Sequence, residues 1–209
     1  TLAAGTYYIG AIADYANVRG ESDETNNILA GNQISIVAPD LVMTTISGPT
    51  TGSVANSISL VNTVTNQGAG TAASFNVGFY FSTDPIITTA DLGVGARALS
   101  TLASGAASTA TTAITIPNAL APGTYYIGAI ADYTNARAES SETNNSLAGN
   151  QINIVNSDLV MTAVSGPATG SVGNAISLSN TVTNQGTGTA ASFFVGLYFS
   201  TDTTITTAD

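Results

Sequence analysis

The chain of 209 residues contains no cysteine, histidine, lysine or tryptophan. Without histidine and cysteine it has no Ser-His-Asp or Cys-His nucleophile and lacks the usual zinc ligands. Without lysine it has no P-loop, no Schiff base and no isopeptide cross-link between lysine and asparagine. A glycosidase needs only two carboxylates, but it also needs a cleft, which small sandwich repeats seldom supply. The composition therefore predicts that the protein is not an enzyme.

Positive charge is also scarce, since three arginines face thirteen acidic residues and the net charge is −10. Binding to nucleic acid depends on contacts of Lys and Arg with phosphates, so no nucleic-acid partner is expected. No apolar run approaches the roughly 18 residues of a membrane span, and no signal peptide is visible. The lack of cysteine fits either a cytosolic protein or a bacterial extracellular one without disulfides. Abundant Thr, Ser, Asn, Gly and Ala with no lysine is unusual for a cytosolic protein and favours an extracellular or cell-surface location.

What the sequence does contain is a long internal repeat. The string TYYIGAIADY at residues 6–15 returns at 124–133, 118 positions later. The same shift aligns 1–91 with 119–209 without a gap, and 70 of these 91 pairs are identical. A unit of this length corresponds to a whole globular domain rather than to a solenoid repeat.

The phase of the repeat predicts three units. Residues 39–156 are a complete repeat, 1–38 are the C-terminal part of the preceding one, and 157–209 are the N-terminal part of the next. In immunoglobulin lettering the first part would hold strands F and G, and the last would hold strands A to C. Either the chain is a window of a longer array, or its two partial units complete each other between neighbouring molecules. The second arrangement would still lack two strands, so the first is favoured.

Apolar residues recur with a period of two almost everywhere, and no convincing amphipathic helix is visible. In the complete unit this pattern predicts seven strands separated by Gly, Pro and Asn turns, at 40–47, 57–66, 74–82, 92–100, 108–116, 124–133 and 150–155. The predicted fold is all-β, with tandem immunoglobulin-like, seven-stranded antiparallel β-sandwiches and a 118-residue repeat.

Two polar side chains are expected to stabilise the sandwich itself. Tyr125 follows a Pro-Gly turn, and its hydroxyl should hydrogen-bond to the preceding corner while its ring packs inward. Asn62 and its counterpart Asn180 fall on the inward face of their strand, where an amide without hydrogen bonds costs roughly 1–3 kcal/mol. We therefore expect a structural hydrogen-bonding role there, or a local bulge.

Three motifs resemble the CARDB family (cell-adhesion-related domain found in bacteria): Asn-Gln-Gly at 66–68 and 184–186, APGTYYIGAIAD at 121–132, and Glu-x-x-Glu-Thr-Asn-Asn at 139–145. The resemblance covers the complete unit and both partial units. It implies a β-sandwich module of bacterial and archaeal surface or secreted proteins, often in tandem, with no enzymatic activity.

Acidic residues gather in two loops of each unit. One loop contributes Asp14, Glu21 and Glu24, repeated as Asp132, Glu139 and Glu142; the other contributes Asp84 and Asp91, repeated as Asp202 and Asp209. Clustered oxygen ligands suit Ca²⁺, the one cofactor we consider, because an ion could replace the missing disulfides as a cross-link. Equally, these are common turn residues, and neither loop has EF-hand spacing. Asp23 becomes Ser141 in the next copy, so it is not an obligatory ligand.

An apolar patch is predicted on the outer face of two neighbouring strands, where Tyr80, Tyr126 and Ile130 alternate with glycines. If it is exposed, this patch could dock laterally against another molecule or stack on a sugar. Single exposed apolar residues are also ordinary on protein surfaces.

The short junctions VAPDLV and VNSDLV between near-identical units favour a structural repeat. We expect a rod, stalk or filament on or from the cell surface, serving adhesion or matrix assembly, with other copies of the domain as end-to-end partners and a surface glycan or protein as a candidate ligand. The alternative is a carbohydrate- or ligand-binding accessory module of a secreted enzyme.

Overall fold

The structure, a computed structural model, describes residues 2–209, which form twelve β-strands and no helix. The strands are β1 Gly5–Ile12, β2 Ile28–Ile36, β3 Leu41–Ser47, β4 Thr51–Ser53, β5 Ser57–Asn66, β6 Phe75–Ser82, β7 Leu92–Leu99, β8 Ala107–Thr115, β9 Gly123–Ala131, β10 Ser146–Val155, β11 Leu159–Ser165 and β12 Ser179–Asn184. In these residues no helix is long and apolar enough to cross a membrane.

The complete unit is a sandwich of two sheets. One sheet has the order β3-β5-β8, and the other has the order β4-β10-β9-β6-β7. All pairings are antiparallel except that of β4 with β10, which is parallel. Each of the seven predicted strands is present, and β4 is an additional strand. Its three residues are too few to show an alternating pattern.

The core of the complete unit lies between the two sheets, where alternate side chains of each strand point inward. Leu60 and Val64 from β5 are fully buried, as are Val77 and Phe79 from β6 and Ile127 from β9. On β8, Thr109 and Thr111 are exposed, as the period of two predicts.

The two polar side chains assigned to the sandwich have the expected roles. The hydroxyl of Tyr125 donates to the carbonyl of Ala121 at 3.0 Å, and that of Tyr7 donates to Ala3 at the same distance. Asn62 is fully buried, and its Nδ2 donates to Leu60 O and to the Thr112 hydroxyl, whereas its Oδ1 has no hydrogen-bond partner, so the expected hydrogen bonding is met on the donor side only.

The partial units expose surfaces that the complete unit buries. Residues 2–38 contain the β1–β2 hairpin, in which Ile9 is 50% exposed, whereas its counterpart Ile127 is fully buried. In the last unit β11 pairs with β12, but the segment 192–200 forms no strand, contrary to the prediction of a third strand. The corresponding β6 is held on both sides by β7 and β9, whereas residues 192–200 pair with no strand among the residues described.

Candidate functional site

The apolar patch on β6 and β9 is covered, so the prediction that it is exposed is wrong. Tyr80 and Ile130 are only 6% and 9% exposed, because Ile87 from the loop 83–91 lies over them. Gly128 makes room for this contact, since a Cβ atom there would lie 2.5 Å from Ile87 Cδ1. Tyr126 is partly buried at the edge of this second cluster. The patch is thus a minor core, defined as Tyr80, Ile87 and Ile130, and it is not available for lateral docking or sugar stacking.

The carboxylates of the loop 83–91 hydrogen-bond to their own backbone. Asp84 accepts from the Ile86 amide at 2.7 Å, and Asp91 accepts from the amide and hydroxyl of Thr88. The last unit repeats both arrangements at Asp202 and Asp209, although its sandwich is incomplete. There the backbone hydrogen bond from Thr206 lowers the pKa of Asp209. The loop conformation is therefore set locally, and it carries Ile87 onto the sheet.

The acidic loop 132–145 fastens onto the start of β3. Glu139 accepts from the backbone amide of Leu41 and, at 3.0 Å, from the side-chain amide of Asn145. The Ser140 amide donates to Pro39 O at 2.8 Å, in the linker that precedes β3. Two further carboxylates close the loop on itself, since Asp132 accepts from the Arg137 amide and Glu142 from the Glu139 amide.

The same loop in the first unit makes the internal contacts only. Asp14 accepts from the amides of Val18 and Arg19, and Glu24 accepts from that of Glu21. Glu21, the counterpart of Glu139, is exposed. Burial against β3 therefore distinguishes Glu139 from Glu21, and this burial raises the pKa of the Glu139 carboxyl to about 7. The charges of Glu142 and Asp132 also raise this pKa, whereas the hydrogen bonds from Leu41 and Asn145 lower it.

This raised pKa predicts an inverted pH dependence of stability. The unfolded carboxyl titrates near 4.5 and the folded one near 7, so the folded state keeps a proton that the unfolded state loses between these values. The free energy of unfolding should therefore fall as pH rises through this window, by about 1 kcal/mol for a half-buried group in contact with solvent.

Urea denaturation at about pH 5 and about pH 8 measures the effect. Glu139→Gln should abolish the decline, because the amide of glutamine does not titrate. Asn145, whose Oδ1 has no hydrogen-bond partner, can turn its amide so that this oxygen accepts from the new side chain. Glu21→Gln is the matched control and should leave it intact. Stability that rises over this window in the unchanged protein, or a decline that persists in Glu139→Gln, would contradict the assignment.

Three oxygens of the loop 132–145 have the chemistry of ligands for a hard cation. Asp132 Oδ1, Asn144 Oδ1 and Asn145 Oδ1 are buried and have no hydrogen-bond partner. Carboxylate and amide oxygens are the ligands that Ca²⁺ prefers. Among residues 2–209, however, no group of three acidic side chains converges on one point as a metal site. The donor chemistry fits an ion, and the convergence of carboxylates seen in preformed sites is absent from the part of the chain described.

A second attachment of the linker was not predicted as a site. Asn66, at the end of β5, is fully buried and uses all its hydrogen-bonding capacity. Its oxygen accepts from the amides of Asp40 and Gly68, and its amide donates to Gly70 O at 2.8 Å and to Leu102 O at 2.9 Å. In the last unit Asn184 accepts from the amides of Asp158 and Gly186 and donates to Gly188 O. The Asn-Gln-Gly motif is thus a linker clamp, a role that its position directly after a strand could have suggested.

The glycines of the linker clamp allow two backbone segments to touch. A Cβ atom at Gly68 would lie 2.5 Å from the nitrogen of Asp40, and one at Gly70 would lie 2.8 Å from the Ala38 carbonyl carbon. Contacts this short with backbone cannot be relieved by a side-chain rotation. The spacing Asn-Gln-Gly-x-Gly therefore follows from the passage of the linker across the end of β5.

The complete unit and the following one also meet directly. The backbone amide of Thr189 donates to the hydroxyl of Ser53 at 2.8 Å, and Asn56 Nδ2 donates to Thr189 O at 2.8 Å. Ser53 and Asn56 flank the turn between β4 and β5, and Thr189 follows the linker clamp of the last unit. Ser53, Asn56 and the linker clamp of the last unit thus lie where one unit joins another.

These features define a class of protein: an immunoglobulin-like β-sandwich in tandem, whose ordered polar groups hold linkers and loops. The particular family follows from the CARDB family model, which matches residues 38–149 and 156–209, well over half of the chain. The chain belongs to the CARDB family, and the CARDB domain is a non-catalytic type of module.

Several solved structures are similar to this chain. The CARDB domain of a Pyrococcus furiosus protein, in complex with di-metal ions, is 22% identical over 56% of this chain and 94% of that domain, with a TM-score of 0.43. A domain of an inferred cell-surface protein of Methanosarcina acetivorans is 24% identical over 56% of this chain and 92% of that domain, with a TM-score of 0.41. A β-glucosidase of Listeria innocua is 13% identical over 66% of this chain and 19% of its own length, with a TM-score of 0.37. No curated protein matches the chain significantly.

Proposed function

We propose that the protein is an extracellular structural repeat that forms a rod, stalk or filament on or from the surface of a bacterium or archaeon, serving adhesion or matrix assembly. The observation that carries this proposal is the attachment of the linker. Only residues 156–158 separate β10 from β11, and residues 37–40 separate β2 from β3. In both linkers the backbone is bound by the linker clamp that follows it.

Such a linker allows little independent movement of its two domains. Three extended residues span only about 10 Å. Here Asn156 O and both backbone groups of Asp158 are already hydrogen-bonded. Near-identical units that repeat one junction geometry generate a regular helical array. Reach and a constant repeat distance are the properties that a stalk or filament requires.

Small-angle X-ray scattering of a chain of several whole repeats tests the proposal. A domain with ten-residue strands is about 40 Å long, so the maximum dimension should grow by about that amount for each added repeat, with a constant cross-section. The matched control carries a flexible Gly/Ser linker at every junction and should give a shorter, broader distribution of distances. If the natural array scatters like that control, the rod is excluded.

The alternative is a carbohydrate-binding accessory module of a secreted enzyme. Its main support was an exposed aromatic patch, and the minor core shows that this patch is covered. Tyr80 and Ile130, which would have stacked on a sugar, are covered by Ile87. We therefore favour the structural repeat over a ligand-binding module.

We also propose that Ca²⁺ binds beside the loop 132–145, supported by the three buried oxygens that have no hydrogen-bond partner. The ion would join this loop to the start of β3, where Glu139 already reaches Leu41. EGTA should then lower the melting temperature, and added Ca²⁺ should restore it by about 5 °C or more at saturating concentration.

Two variants show which loop binds the ion. Asp132→Asn should lose the response to Ca²⁺, because one charged ligand is removed while the side chain keeps its size. Asp84→Asn should retain the response. The opposite result would place the ion at the loop 83–91. If neither EGTA nor Ca²⁺ changes the melting temperature of the unchanged protein, neither loop binds the ion and both are ordinary turns.

A further inference from the structure

The contact between the complete unit and the next one involves both polar backbone groups of a single residue. Ser53 Oγ accepts from Thr189 N–H, and Asn56 Nδ2 donates to Thr189 C=O, each at 2.8 Å. The side chain of Thr189 takes no part and is exposed. Recognition therefore depends on the path of the backbone after the linker clamp and not on the side chain at that position.

The turn that carries Ser53 and Asn56 is held in place before any partner arrives. The Asn56 amide donates to Ser53 O. The Ala55 amide donates to Ile116 O, and the Ile116 amide donates to Asn56 O. Ile116 itself is fully buried. Ala55 has a φ of 61°, in the left-handed region that alanine seldom adopts. Such strain persists only where the surrounding structure enforces it, and it often accompanies a binding function.

The last unit contains the same turn at the same spacing. Ser171 and Asn174 correspond to Ser53 and Asn56, the Asn174 amide again donates to Ser171 O at 3.1 Å, and Gly173, with a φ of 81°, takes the place of Ala55. Ser171 is exposed, whereas Ser53 beneath Thr189 is only 9% exposed. At the opposite end of the complete unit, Thr71 is the exposed counterpart of Thr189.

We propose that this turn (the docking turn, residues 53–56 and 171–174) and the residue that follows the linker clamp (Thr71 and Thr189) form an orientation clasp between successive CARDB domains. Ser171 and Asn174 form the site for the backbone of a following copy, and Thr71 offers its backbone to the docking turn of a preceding copy. The partner is a further domain of the same kind, joined by a linker of the same length. The linker keeps the two halves at high effective concentration, so two hydrogen bonds are enough to select one rotation.

This inference rests on the proposed rod, because it names the contact that sets the rotation between its domains. The clasp is needed because the clamped linker alone does not fix the rotation of one domain relative to the next. The linker fixes the distance between two domains, whereas rotation about the linker requires a second point of contact away from it. Thr189 lies five residues beyond Asn184, so its contact with the docking turn is a second point of attachment away from the linker, which restricts rotation about it.

Hydrogen exchange of the full chain, read amide by amide, tests the clasp. The Thr189 amide should exchange slowly, and Ser53→Ala should accelerate it at least tenfold by removing its acceptor. Asn56→Ala should accelerate it less, because the acceptor remains. Ser171→Ala and Asn174→Ala, the same changes in the copy of the turn that Thr189 does not touch, should have no effect. Fast exchange at Thr189 in the unchanged chain, or equal effects of the two sets of variants, would overturn the clasp.

Scattering from the array of whole repeats separates this inference from the function on which it rests. Replacing the serine and the asparagine of every docking turn by alanine should convert a rod into a flexible chain. An array that stays rigid after this change would overturn the clasp and leave the rod intact. An unchanged array that is already flexible would overturn the rod, while slow exchange at Thr189 that depends on Ser53 would still support the contact.

Discussion

Replacing Asn66 by alanine should lower the free energy of unfolding of the complete domain by about 3 kcal/mol, because the side chain satisfies several buried backbone groups at once. The amides of Asp40 and Gly68 lose their acceptor, and Gly70 O loses a donor. The carbonyl of Leu102 is affected less, since it also accepts from the Ala72 amide. The loss should be visible in urea denaturation followed by tyrosine fluorescence.

The repeat provides a matched control for this experiment. Asn184→Ala makes the same change in the last unit, whose sandwich is incomplete, and should leave the unfolding transition of the complete domain unaltered. Equal effects of the two substitutions, or a loss well below about 1 kcal/mol in Asn66→Ala, would show that the linker clamp is not a stabilising element. In either case the rigid junction would have to depend on the acidic loop 132–145 and the docking turn.

The fold could be predicted from the sequence because its strands obey one simple rule. The alternation in β5 and β6 is clear, and the predicted 57–66 coincides with Ser57–Asn66. Where the rule failed, backbone irregularity was the cause. β10 begins at Ser146 and not at residue 150, because its pairing with β9 shifts register between Ala148 and Gln151. Gly149 lies in that interval and passes so close to the carbonyl of Ile46 that a side chain would not fit there. The position therefore requires glycine, which in the sequence alone indicates a turn and not a strand.

The sites were predicted less well, because they depend on contacts between segments far apart in the chain. The acidic loop 132–145 is visible in the sequence as a cluster of carboxylates, but its attachment to β3 joins Glu139 to Leu41, 98 residues away. The contact of Asn56 with Thr189 spans 133 residues. A repeated motif shows that a loop recurs, and only the folded chain shows which surface it meets. The covered face of β6 and β9 was mispredicted for the same reason.

Replacing Ile87 by alanine should expose that face and cost about 2–3 kcal/mol of unfolding free energy, since a buried isoleucine loses most of its side chain. Ile87 is 5% exposed and fills the space above Gly128, between Tyr80 and Ile130. Ile86→Ala is the control within the same loop, because Ile86 is 71% exposed and should tolerate the change. Ile205→Ala changes the equivalent residue of the last unit. Ile205 is 59% exposed, so this variant should also leave the free energy of unfolding unchanged.

Chemical modification of tyrosine gives this prediction a second measurement that does not depend on unfolding. Tyr80 is 6% exposed and should resist nitration by tetranitromethane in the folded protein, whereas the exposed Tyr15 should react. In Ile87→Ala the ring of Tyr80 should become reactive while Tyr15 is unchanged, which peptide mapping by mass spectrometry resolves. If Tyr80 already reacts as fast as Tyr15 in the unchanged protein, the loop 83–91 opens in solution. The exposed aromatic patch predicted from the sequence would then be present after all, and a sugar-binding role would regain its support.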